Sequence, residues 1–81
     1  MWIVTRHDEY YLYMEILAQR LKELRLERGV SLRTVAKVIG LNYKAYWFYE
    51  QNVNNPKPET IVKLAQYFGV TTDYLLGLSE Y

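Results

Sequence analysis

The stretch from Ser31 to Glu50, SLRTVAKVIGLNYKAYWFYE, restricts the fold of this 81-residue chain more than any other segment. It holds two short helical patterns separated by Gly40-Leu41, with Ala36 four residues ahead of the glycine. Ser31 and Asn42 stand where helices begin, because each has a short side chain whose oxygen accepts from the backbone N–H groups of the first turn. The spacing therefore predicts one helix over residues 31–39 and another over 42–51. Gly40 supplies a positive φ between them, a conformation that costs residues with a Cβ. Ala36 is small enough for the two helices to cross in close contact, and Val35, Ala36 and Ile39 form the inward face.

The flanking segments are helical too. The first helix is expected to start near Thr5 or Asp8, spaced as a capping box, and to stop at Gly29 after Arg25 and Arg28. Met14, Leu17, Leu21 and Leu24 keep the spacing of a buried stripe. Tyr10, Leu12, Tyr13 and Ile16 widen that stripe beyond one core's needs, so residues 1–4, read as an extended arm, or a second subunit should cover the excess. QNVNNPKP reads as a loop, with Asn52 suited to a left-handed cap. A fourth helix, Pro58 to Phe68, buries Ile61, Leu64, Ala65 and Phe68 and ends at Gly69. Thr72 is expected to cap a fifth, to Leu76, closed by Gly77. Without paired strands, the fold class is all-α, a five-helix bundle.

Composition removes whole classes of function. The chain has no cysteine and a single histidine, His7, so disulfides, thiolate metal sites, a histidine-rich metal site and a conventional catalytic triad are excluded. No nucleophile–base pair or metal cluster has a recognisable spacing, and no enzyme activity, cofactor or small-molecule ligand is expected. No apolar run approaches the ~18 residues that span a bilayer, and the start, MWIVTRHDEYY, lacks the order of a signal peptide. A cytoplasmic location without membrane contact is the expectation. The net charge of +1 is low for a nucleic-acid binder, so any such role rests on where Lys and Arg are placed.

The segments RLKELRLERGVSL, VAKVIGLN and YEQNVNNPKPETIVKLAQYFGVTTDYLLG together resemble the Cro/cI-type (XRE) helix-turn-helix family of phage repressors and bacterial regulators. The resemblance covers about residues 17–77, with 1–16 as an extension and 78–81 as a tail. It implies a lambda-repressor-like DNA-binding domain in which helix 31–39 positions and helix 42–51 recognises. It also implies a transcriptional regulator, commonly a repressor of phage or mobile-element type. The partner it implies is double-stranded DNA, bound in the major groove by a homodimer on half-sites about one turn apart. In the family, the arginine near the end of the first helix pairs with the glutamate ending the recognition helix; these are Arg25 and Glu50 here. Such a buried pair orients the helix more reliably than it adds net stability.

By position, the resemblance places base contacts at Asn42, Tyr43, Lys44, Trp47 and Phe48, and core residues at Tyr46 and Tyr49. Lys44 can donate to guanine, and Tyr43 can use its hydroxyl on a phosphate or its ring on a thymine methyl. Arg33, Lys37, Lys44 and Lys57 are candidate phosphate ligands, and the amides of Asn52 and Asn54 can bond phosphates without releasing counterions. The chain departs from the pattern at Leu32, where many members carry a glutamine that braces a phosphate. Its aromatic recognition helix also fits a second reading, a protein-interaction module on the same scaffold, antitoxin-like or accessory. Two surfaces are available for dimerisation: Tyr74, Leu75, Leu78 and Tyr81, or Trp2, Ile3, Val4, Tyr11, Leu12 and Ile16.

Overall fold

Local capping chemistry sets the elements, and the computed structural model describes residues 6–81, with side chains from Glu9 onward. The chain forms α1 (Arg6–Arg28), α2 (Leu32–Val38), α3 (Tyr43–Glu50), α4 (Pro58–Phe68) and α5 (Thr72–Leu76), with no strand among the described residues. The arm at 1–4, with the surface residues Trp2, Ile3 and Val4, lies outside what is described, as do the side chains of His7 and of the Thr5–Asp8 capping box.

Ser31 Oγ accepts from Thr34 N at 3.1 Å, and Asn42 Oδ1 accepts from Ala45 N at 2.9 Å, so both expected caps are in place. Gly40 has φ +77°, which lets Leu41 N reach back to Ala36 O at 2.9 Å and close the end of α2. Open space surrounds the position a Cβ would take on Gly40, so the requirement is conformational rather than steric. Asn52 does the same for α3: at φ +57° it allows Val53 N to donate to Phe48 O at 2.9 Å. Asparagine tolerates this region because its side chain can bond locally.

One expectation is corrected here. Thr72 is not the cap of α5; Thr71 is, with extended backbone and its Oγ1 accepting from Tyr74 N at 2.9 Å. Two adjacent threonines offer nearly equal local capping. The register that puts Leu75 fully inside the core selects the first of them.

The core consists of Leu17 and Leu21 from α1, Val35, Ala36 and Ile39 from the α2 end, Tyr46 from α3, Ile61, Leu64, Ala65 and Phe68 from α4, and Leu75. Helix α2 packs on α3, α1 packs on α3 and α5, and α4 packs on α5. This places α3 on a base of α1 and α2 with its other side toward solvent.

The wide apolar zone of α1 is partly covered by the end of α5. Ile16 sits beneath the α5 terminus, and a Cβ on Gly77 would stand 2.7 Å from its Cδ1. Tyr10, Tyr11 and Leu12 remain about half exposed. Leu75, offered above as a dimer contact, is a core residue. Tyr74 is held under Arg20, whose guanidinium lies 4.2 Å from the ring centroid and donates to Tyr74 O and to Ser79 O. Leu78 and Tyr81 keep most of their surface exposed.

Candidate functional site

Helix α3 is locked from below by a buried ion pair. Arg25 Nε donates to Glu50 Oε2 at 2.7 Å and Nη2 donates to Oε1 at 3.1 Å, while Nη1 donates to Val30 O at 3.2 Å. The Glu50 side chain is 1% exposed and that of Arg25 is 14%. The hydrogen bond to Glu50 raises the guanidinium pKa above its ordinary value, against an opposing effect of burial, so Arg25 stays charged. This joins the end of α1 to the end of α3 across the core, as the family resemblance implies.

Tyr46 completes the inner face of α3, fully buried and edge-on to Tyr49. Its hydroxyl makes no hydrogen bond of normal geometry, although the Glu50 carboxylate is its electrostatic neighbour. Burial first, and then Glu50, push the phenol well above its usual range, so it remains neutral.

The outer face of the α2–α3 pair carries most of the expected contact residues. The Arg33 guanidinium lies over the Tyr43 ring at 4.2 Å, which makes one stacked unit of a candidate phosphate ligand and a candidate base reader. Lys44 Nζ stands 5.8 Å from the Phe48 ring centroid, and the Trp47 and Phe48 rings meet at 5.5 Å with a 41° tilt. Tyr43 and Trp47 are 43% and 40% exposed, whereas Phe48 is half-buried. Asn42 is exposed, and its Oδ1 already accepts from Ala45 N at the cap, which constrains how its amide can be presented.

The other expected residues are exposed yet not gathered as tightly. Lys37 follows Arg33 by one turn on α2. Asn52 and Asn54 lie in the turn after α3, and Lys57 stands at the N-cap of α4 without a side-chain capping bond. No hydrogen bond, ion pair or ring contact ties Lys37, Asn54 or Lys57 to the α3 side chains among the described residues. Leu32 is half-buried against the core, as an apolar residue at that position would be.

Three features were not anticipated from sequence. Asn55 Nδ2 donates to Tyr10 Oη at 2.5 Å, so the loop after α3 is tied to α1. The Arg33–Tyr43 stack left no signal except an arginine early in one helix and a tyrosine early in the next. The third is a separation of charge. From Gly29 to Pro58 the chain carries four of its ten basic residues (Arg33, Lys37, Lys44 and Lys57) but one of its nine acids, Glu50. That acid is buried and neutralised from α1. The exposed surface of this segment is therefore basic and free of carboxylates, and the rest of the chain is net acidic. The small total charge conceals this polarity.

Such a surface can bond anionic oxygens and cover apolar groups. Among the described residues no cluster of His, Cys, Asp or Glu could hold a metal ion, and no helix is long and apolar enough to cross a membrane.

Residues 21–75 match the helix-turn-helix family. The chain is 35% identical over 65 residues to the cryptic phage CTXphi transcriptional repressor RstR of Vibrio cholerae, covering 80% of this chain and 59% of that one. It is 34% identical over 64 residues to the HTH-type transcriptional regulator ImmR of Bacillus subtilis, covering 79% and 50% respectively. The chain thus spans about half the length of the curated relatives it matches. Its structure resembles the crystal structure of the hypothetical transcription factor NHTF from Neisseria, with TM-score 0.73 and 26% identity over 94% of this chain and 86% of that one.

Proposed function

We propose that this chain, which belongs to the Cro/cI-type (XRE) helix-turn-helix family, is a sequence-specific DNA-binding transcriptional regulator. In this reading it is a repressor of phage or mobile-element type that works in the cytoplasm as a homodimer and performs no catalytic step. The single observation behind it is the carboxylate-free basic surface of α2, α3 and the following turn, carried on a helix that Arg25 and Glu50 lock in place. Relatives named as a phage repressor and as an SPbeta prophage-derived regulator support the same reading. Residues 17–77 are the DNA-binding unit.

In this arrangement α3 enters the major groove, presenting Asn42, Tyr43, Lys44, Trp47 and Phe48 to base edges. Arg33, Lys37 and Lys57 take phosphates, with the amides of Asn52 and Asn54 as neutral auxiliaries. With Lys44 there are four cations per protomer, so log K should fall against log salt with a slope of about −3.6 per protomer. Fluorescence anisotropy on the DNA flanking the chain's own gene tests the proposal. Absence of binding at ~50 mM salt would sink it.

A second reading, a protein-interaction module, draws on the half-exposed Tyr10, Tyr11 and Leu12 of α1. A stoichiometric protein companion recovered from the native cell, without enriched DNA, would favour it.

A further inference from the structure

The outer face of α3 is poor in groups that distinguish bases by hydrogen bonding. Discrimination of that kind uses paired contacts from Arg, Lys, Asn or Gln, and from Tyr43 to Glu50 Lys44 is the one such residue. Asn42, just before the helix, already accepts from Ala45 N through its carbonyl oxygen, so a paired reading of adenine would have to share that oxygen with the cap. What α3 presents instead is ring surface. Tyr43 and Trp47 lie one turn apart on one face, each about two-fifths exposed, and Phe48 backs Trp47 at 5.5 Å. Arg33 covers one face of the Tyr43 ring at 4.2 Å.

In the major groove, the apolar feature of a base edge is the C5-methyl group. We propose that this protein reads its DNA chiefly through C5-methyl groups of thymine, with Trp47 and Tyr43 as the specificity-determining residues. The inference rests on the DNA-binding reading given above and specifies what that same surface recognises. Charge decides the occupant. An apolar patch flanked by Arg33 and Lys44, with no exposed carboxylate on α2 or α3, complements a polyanion that carries methyl groups.

The test uses the full chain and duplexes that it recovers from a randomised pool at ~50 mM salt. In the recovered sequence, each thymine is replaced singly by deoxyuridine, which deletes the methyl and keeps every hydrogen-bonding group. Separately, each T·A pair is replaced by cytosine or 5-methylcytosine opposite guanine. Deoxyuridine is expected to weaken binding about fourfold at each contacted thymine, the factor that follows from burying one methyl group. At the same positions 5-methylcytosine should bind about fourfold better than cytosine. Trp47→Ala should bring the thymine-to-deoxyuridine ratio toward unity at its own contact while leaving the salt slope unchanged. The inference is overturned if deoxyuridine is harmless at every position, or if cytosine and its methylated form bind alike. Both measurements use the unaltered chain, so they decide the matter even if Trp47→Ala fails to fold. Recovery of no duplex at all would instead remove the DNA-binding reading itself, a separate outcome.

Discussion

Breaking the Arg25–Glu50 pair from its two sides should have unequal costs. Arg25→Ala leaves a carboxylate that is 1% exposed with both of its charged hydrogen bonds gone. The neighbouring Tyr46 hydroxyl lies outside hydrogen-bonding geometry and would have to move to replace either. An uncompensated buried charge costs about 3–5 kcal/mol. Glu50→Ala leaves the guanidinium with its bond to Val30 O and with 14% of its side-chain surface in water, so about 1.5–3 kcal/mol is expected, the worth of charged hydrogen bonds. A domain of this length has roughly 4–12 kcal/mol in total, so the first variant sits close to unfolding. Replacing both residues with apolar ones of similar volume, Arg25→Met with Glu50→Leu, should cost less than Arg25→Ala alone. Urea unfolding followed by far-ultraviolet circular dichroism at 222 nm gives each value by linear extrapolation. The reasoning fails if Arg25→Ala lies within about 1 kcal/mol of the parent, or if Glu50→Ala is the more damaging change.

Tyr46→Phe should leave stability at neutral pH within about 1 kcal/mol of the parent or raise it, because the deleted hydroxyl has no hydrogen bond to lose. The folded state raises this phenol's pKa, so its contribution is fully present below about pH 10 and is lost as pH rises beyond it. The parent should therefore lose stability faster than Tyr46→Phe in alkaline urea titrations, and parallel profiles would refute this. Gly77→Ala should cost more than Gly40→Ala in thermal unfolding. Both require a positive φ, worth about 1–2 kcal/mol, but only Gly77 would also drive a methyl into Ile16. Thr71→Ala should cost about 1 kcal/mol through loss of the cap to Tyr74 N, and Thr72→Ala clearly less; the reverse order in chemical denaturation would restore Thr72 as the cap.

What could be read from the residues alone is what neighbours in the chain settle between themselves. Ser31 and Asn42 as caps, Gly29, Gly40 and Asn52 as left-handed ends, and Pro58 in a first turn act within a few residues. These six residues therefore mark six of the ten helix boundaries wherever the chain packs. The 3–4 spacing of Leu17, Leu21, Leu64 and Phe68 likewise predicts which faces turn inward, because a helix fixes side-chain direction before it finds a partner. The Arg25–Glu50 pair was legible only through the family resemblance, since nothing local connects residues half a domain apart.

Packing settled the rest. Thr71 rather than Thr72 caps α5 because Leu75 must point at α1. Leu75 is lost to any interface for the same reason, and Ile16 lies against Gly77. The Arg33–Tyr43 stack exists because α2 and α3 cross closely where Ala36 permits it. The carboxylate-free character of the outer surface depends on burying Glu50 against a residue of another helix. Local rules place the two helices of the segment 31–50, but which of their side chains meet water is a property of the assembled core.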